Sequence, residues 1–306
     1  MEISLGASNL EGVKNKETET LKNLESMVKL WHENADQMWG KESFHNWQHI
    51  VAVRYAKDEY LKSYHEKGLD PLRVFGDEGE LTRWNQSKTD EEKISPEEFE
   101  YGLDASILLH DVGNVLTRID VNEEGELVPT YHYQENTNHA NIASDKVYIA
   151  AGAEDRTKEM IEPIFTKLGI DKKLIPMAQD FVENTKYQFT EGGKDTPFAV
   201  FMRVVDQLGV NYFSEDDKRV LGLANENNIE FPERKYNPDF VVNFTLRRCR
   251  ELVPNDTVRD TLVNGSWGKQ YPKEFPGLGT GPISGVEIRD ILVSINHQKS
   301  SDESNL

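Results

Sequence analysis

The residues of this 306-residue chain best suited to chemistry are histidines and aspartates set inside apolar stretches. In residues 101–114, YGLDASILLHDVGN, His110 and Asp111 stand side by side where a helical run is about to stop at Gly113. One is a borderline nitrogen donor and the other a hard oxygen donor, and both are metal-ligand types. Ala105, Ile107, Leu108, Leu109 and Val112 would bury that helix. A carboxylate there needs a metal ion, an arginine or a helix N-terminus as partner, because an unpaired buried charge is very costly. Upstream, His45 and His49 are four apart in HNWQHIVAVRYA. On one helix they would share a face, whether as site residues or as polar packing. Downstream, Asp206 is an isolated carboxylate in FMRVVDQLG. Its neighbours at helical spacing are mainly apolar, so it faces inward, as a ligand or as the salt-bridge partner of Arg203. His139 opens a further helical stretch, NHANIAS.

These residues need helices to carry them, and the apolar spacing predicts helices almost throughout. Leu21, Leu24, Met27, Val28, Leu30, Trp31, Ala35 and Met38 fall three and four apart, which predicts an amphipathic helix over 17–38, ended by Gly40. Residues 1–16 read as loose and polar. Residues 43–65 predict a second helix with Ser43 as its cap and Ile50, Val53, Ala56, Tyr60, Leu61 and Tyr64 as its packing face. Residues 66–94 read as a long polar connection. Ser95-Pro96-Glu97-Glu98 is a helix start, with a capping hydroxyl, proline at the first position and acids in the first turn. Residues 118–137 read as a short hairpin or ordered loop. Helices are expected over 138–152, 155–168 and 171–186, with Gly169 between the last two, and again from Pro197. Trp31, Trp39, Trp47 and Tyr55 read as core, and His32, His65 and His297 as ordinary packing or exposed histidines. Residues 264–285 are rich in Gly and Pro and irregular. The expected class is all-α: a helical domain over 17–230 and a helical or irregular extension over 231–306 packed on it. No internal repeat is present.

Composition narrows the function. Hydrophobic residues at 37% and charged residues at 29% suit a soluble chain that still buries a core. The formal net charge of −19 argues against a general nucleic-acid or membrane-surface binder, which needs a basic face. It leaves room for a small phosphorylated substrate where a metal neutralises the site locally. Cys249 is the sole cysteine, which rules out an internal disulfide and a cysteine-based zinc site. The first twenty residues have neither the basic nor the apolar region of a secretory signal. No apolar run approaches the roughly 20 residues of a membrane span. A cytoplasmic location is the expectation.

The order of these motifs resembles the HD-domain superfamily of metal-dependent phosphohydrolases. HNWQHIVAVRYA at 45–56 resembles that family's HNxxHxxxV segment, and LLHDVGN at 108–114 its His-Asp signature. NHANIAS at 138–144 resembles the segment that follows, and VVDQLG at 204–209 the closing aspartate. Together they span roughly half the chain. The resemblance implies an all-α core of about five helices around one or two divalent ions. His49, His110, Asp111 and Asp206 would ligate the first, which could be Mn, Fe, Co, Ni, Zn or Mg. It implies a hydrolase acting on a small phosphate ester or nucleotide through metal-activated water. By the same resemblance His45 is either a proton donor to the leaving oxygen or a supporting histidine. His139 is a second-metal ligand, a substrate contact or a cap. From their own chemistry, Lys186 and Arg203 would hold a substrate phosphate, Arg offering a two-pronged donor fork, or else lie at the surface or in salt bridges. Asn184-Thr185 stand where the cyclic-dinucleotide phosphodiesterases of this superfamily show paired histidines. No histidine lies between His139 and His297, so a full two-metal set would need His132. Two further functions share the scaffold: a di-iron oxygenase, and a nucleotide-sensing module without turnover.

Overall fold

The computed structural model describes residues 4–39, 45–66, 80–116, 119–121, 127–129, 153–185, 202 and 205–206. Their regular structure is helical apart from one pair of short strands, in agreement with the expected helical class. In order they form α1 (Ser4–Trp39), α2 (Trp47–Glu66), α3 (Glu80–Asn85), α4 (Pro96–Leu109) and α5 (Val112–Leu116). Then come strands β1 (Ile119–Val121) and β2 (Leu127–Pro129), and α6 (Ala153–Leu168) and α7 (Ile175–Thr185). The strands pair antiparallel, Ile119 opposite Pro129 and Val121 opposite Leu127. This is the hairpin anticipated within 118–137. The predicted helix over 138–152, most of the one from Pro197 and the extension from 231 lie outside the described residues.

Helix α4 is the central element, packed against α1, α2 and α7. Its start matches the sequence expectation. Ser95 Oγ accepts from the Glu98 amide at 3.2 Å, while Glu98 Oε2 accepts from the Ser95 amide at 2.8 Å. This reciprocal pair satisfies two amides that a helix start leaves open. Glu98 Oε1 also meets Lys173 Nζ at 2.6 Å, tying the start of α4 to the 3-10 turn Lys172–Leu174 before α7. Phe99, Leu103, Ala105, Ile107, Leu108 and Leu109 share one buried core with Leu24, Met27, Val28 and Trp31 of α1 and with Phe165, Met177 and Phe181.

Several boundaries differ from the sequence reading. Helix α1 begins at Ser4, so residues 4–16 continue it rather than lying loose. They contain no proline, and extending a helix already nucleated costs little. Helix α2 begins at Trp47 rather than after Ser43, because Asn46 is its cap: Asn46 Oδ1 accepts from the amides of Gln48 and His49 at 2.9 and 3.1 Å. His45 therefore precedes the helix and does not share a helical face with His49. The connection over 66–94 contains α3. Helix α4 ends at Leu109, and Gly113 lies inside α5 instead of terminating a helix. A Cβ on Gly113 would collide with the Ala153 carbonyl, so glycine is there for close approach of α5 to α6. Gly169 does take the left-handed backbone, φ 69°, between α6 and the turn before α7.

Helix α2 is buried on nearly every side from His49 to Lys57, including Arg54 at 8% and Lys57 at 7% exposure. Buried cations need partners. Lys57 Nζ meets Asp104 Oδ1 of α4 at 2.7 Å and Asp58 Oδ1 at 2.7 Å. Arg54 reaches Glu25 of α1 at 3.5 Å and Asp104 at 3.8 Å. This ionic clamp joins α1, α2 and α4 and fixes the register between the two helices that carry His49 and His110.

Candidate metal centre

His49 projects from the first turn of α2, and His110 caps the C-terminal end of α4. Both are buried, at 2% exposure each. Their Nε2 atoms face each other at 3.3 Å. His110 Nδ1 lies 2.7 Å from the Ile107 carbonyl, one of the last carbonyls of α4, which the helix end leaves short of amide partners. A carbonyl only accepts, so Nδ1 carries the proton and a neutral His110 presents its Nε2 lone pair to the cluster. This is the outer hydrogen bond that orients a ligating imidazole.

Two carboxylates close the group. Asp206 Oδ1 lies 3.2 Å from His49 Nε2 and 3.7 Å from His110 Nε2. Asp111 Oδ2 lies 3.3 Å and 3.4 Å from the same two atoms. Donor atoms of His49, His110 and Asp206 all fall within 4.8 Å of one another, so these three residues could hold a metal ion. Ligand bonds of about 2.1 Å place tetrahedral donor atoms about 3.4 Å apart, which the observed spacings match. Asp111 Oδ1 accepts from Asn114 Nδ2 at 3.0 Å, which turns Oδ2 toward the histidines. Oδ2 itself is buried and accepts no well-aligned hydrogen bond, a state that a cation would relieve. His49, His110 and Asp206 therefore could hold a metal ion, with Asp111 beside the two histidines.

Electrostatics agree with geometry. Burial by itself depresses the His110 imidazole, but the charge of Asp111 and the hydrogen bond and charge of Asp206 outweigh it and hold the ring up to about 9. Burial pushes Asp206 up, yet its contacts with His110 and His49 keep it well below the usual carboxylate range. Asp111 is likewise lowered against its burial by His110, His45 and His49. Without metal, the negative charge is balanced by imidazolium. The side chain of Asp206 is 23% exposed against 2% and 1% for the two histidines, so the cluster opens to solvent on its side.

His45 stands beside the cluster, half-buried, its ring centroid 5.7 Å from that of His49 and nearly perpendicular to it. The structure thus brings His45, His49, His110, Asp111 and Asp206 together. His139, Lys186 and Arg203, together with His132, lie outside the described residues. His32 is fully buried against the core, a packing histidine as read.

Two residues that touch the site went unnoticed in the sequence. Asn114 is the buried donor to Asp111. Thr157, fully buried on α6, contacts the backbone of both His110 and Gly113. The signal for Thr157 was its place in the apolar stripe Ala153, Met160, Ile161, Ile164, where a hydroxyl needs a partner.

Comparison of the chain with protein-family models, with curated proteins and with solved structures gives no match. Among the described residues, no helix is long and apolar enough to cross a membrane.

Proposed function

We propose that this chain is a metal-dependent phosphohydrolase of the HD-domain type, cleaving a phosphate ester of a small molecule or nucleotide. The observation that carries the reading is the convergence of His49 Nε2, His110 Nε2 and Asp206 Oδ1, with Asp111 Oδ2 beside them, at spacings of 3.2–3.7 Å. In this reading these four residues hold one divalent ion. When bound, such an ion supplies Lewis-acid activation of water and of a phosphoryl oxygen. The histidines and aspartates orient and charge-balance the site. Ile107 fixes the His110 tautomer through its carbonyl, and Asn114 fixes the Asp111 rotamer. In this reading His45, next to the cluster but not in it, holds a proton for a leaving oxygen; its ring contact with His49 supports the assignment. On a chain of net charge −19, a phosphorylated substrate needs a local cation to approach at all.

The test is elemental analysis of the purified protein, followed by a panel of phosphomonoesters, phosphodiesters and nucleotides with the metal found. Stoichiometric metal together with turnover of at least one phosphate ester is the expected result. Metal without turnover of any of them leaves a binding module, and no metal uptake removes the reading altogether.

A further inference from the structure

We infer that Thr157 is a positioning residue for the metal centre: its hydroxyl splices the break between α4 and α5 and so lets two adjacent residues, His110 and Asp111, face one ion. The inference rests on the metal reading of the cluster. On a continuous α-helix, neighbouring residues point about 100° apart and do not meet at one point. Here His110 Nε2 and Asp111 Oδ2 both close on the same spot, 3.4 Å from each other. They do so because α4 stops at Leu109 and α5 starts at Val112, with His110 and Asp111 in the turn between.

A break of this kind costs backbone hydrogen bonds, and it is buried: His110, Asp111, Val112 and Gly113 all lie in the interior. In an unbroken helix the Gly113 amide would donate to Leu109, and the Asn114 amide to His110. Instead the Asn114 amide donates to the Asp111 carbonyl at 2.9 Å. The Gly113 amide donates to Thr157 Oγ1 at 2.8 Å, and Thr157 Oγ1 donates to the His110 carbonyl at 3.1 Å. One hydroxyl, accepting once and donating once, thus replaces both lost helical partners. The Ala153 carbonyl, 3.0 Å away, competes for the same proton. It is the ordinary α-helical acceptor of the Thr157 amide, so the His110 carbonyl has the greater need. Gly113 completes the joint, since any side chain there would strike the Ala153 carbonyl and Thr157 Oγ1 and lift the turn off α6. A merely structural threonine would stabilise the fold wherever it sat. This one holds the backbone on both sides of Asp111.

The experiment is a titration with cobalt(II), whose visible spectrum reports ligand number and geometry, on the full chain and two variants. Thr157→Val keeps the shape and removes the hydroxyl; Thr157→Ser keeps the hydroxyl. We expect Thr157→Val to bind cobalt about 10- to 100-fold more weakly with an altered spectrum, the usual cost of losing an outer-sphere support. Thr157→Ser should restore the wild-type spectrum and an affinity within about threefold. If Thr157→Val loses its helical circular dichroism, Thr157→Cys carries the test, because a thiol is a weaker donor of similar size. A folded Val or Cys variant that binds cobalt with wild-type affinity and spectrum overturns the inference while leaving the metal centre standing. A wild-type chain that takes up no cobalt overturns both.

Discussion

The Nε2 atoms of His49 and His110 lie 3.3 Å apart although the residues are 61 positions apart in the chain. Two such nitrogens at this distance share either a proton or a cation. His110 is the member held up to about 9, and its Nδ1 proton is already committed to Ile107. In the metal-free protein the additional proton therefore sits on Nε2, where a metal would bind. A folded-state value raised above the ordinary 6.5 contributes stability that is complete below about pH 6.5 and is lost as pH rises through about 9. Metal must displace this proton, so its affinity should run the other way, rising by up to about tenfold per pH unit across that window. Urea unfolding in chelator and metal titration, each at several pH values from about 6 to 9, check both. Metal-free stability that is flat across the window, or metal affinity independent of pH, would contradict the arrangement.

How much of this was legible in the sequence depends on the kind of signal. Helices α4, α6 and α7 were readable because local rules set them: the Ser95 capping box, the Gly169 turn and apolar residues at helical spacing. The candidate donors were readable only in combination: a His-Asp pair alone says little, but His49, His110, Asp111 and Asp206 each stand inside an apolar helical stretch, where a polar group needs a partner. What could not be read was where the helices break. Gly113 looks like a stop signal in one dimension, but its role is set by the Ala153 carbonyl, 40 residues later. Ser43 reads as the cap of α2 in the sequence, but Asn46, three residues later, is of an equally good capping type and takes the role. The Lys57–Asp104 pair and the Thr157 joint were invisible for the same reason: each is a contact between elements, and spacing along one element carries no record of it.

The two tightly packed glycines should respond oppositely to alanine. A Cβ on Gly102 meets Met177 Cε, the free end of a flexible side chain that can swing aside. A Cβ on Gly113 meets a backbone carbonyl that cannot move without α6. We expect Gly102→Ala to stay within about 1 kcal/mol of wild type, since alanine's better helix propensity offsets the repacking. Gly113→Ala should lose about 3 kcal/mol or more and bind metal poorly. Paired denaturation curves decide this, and equal stabilities of the two variants would refute it.

The ionic clamp under the site should be costly to break on one side and cheap to replace on both. Asp104→Ala leaves Lys57 buried with only Asp58, whose side chain is 47% exposed, as partner. The expected loss is about 3 kcal/mol. Lys57→Met combined with Asp104→Leu removes both charges and should recover most of it, less the loss of Arg54's contact with Asp104. A double-mutant cycle in urea measures the coupling. If Asp104→Ala costs no more than an exposed ion pair, about 0.5 kcal/mol, the clamp does not hold α2 on α4.

The sharpest division falls between His45 and His49, whose rings touch edge to face at 5.7 Å. His49 Nε2 lies within 3.3 Å of His110 and of both carboxylates, and the ring is buried on α2. His45 precedes the α2 cap, is half-buried, and lowers Asp111 through its charge. His49→Ala should therefore abolish metal uptake, as should Asp111→Ala, and the melting temperature of either variant should no longer respond to added metal. His45→Ala should keep the metal and lose turnover, by roughly a hundred- to ten-thousand-fold if it protonates the leaving group. That loss should shrink on nitrophenyl phosphates, whose leaving groups need little protonation, and remain on alkyl phosphates. Metal content and turnover of both variants on one good and one poor leaving group separate the outcomes. Loss of metal in His45→Ala would make it a ligand. An equal slowing of both substrates would make it a residue that positions substrate without moving a proton.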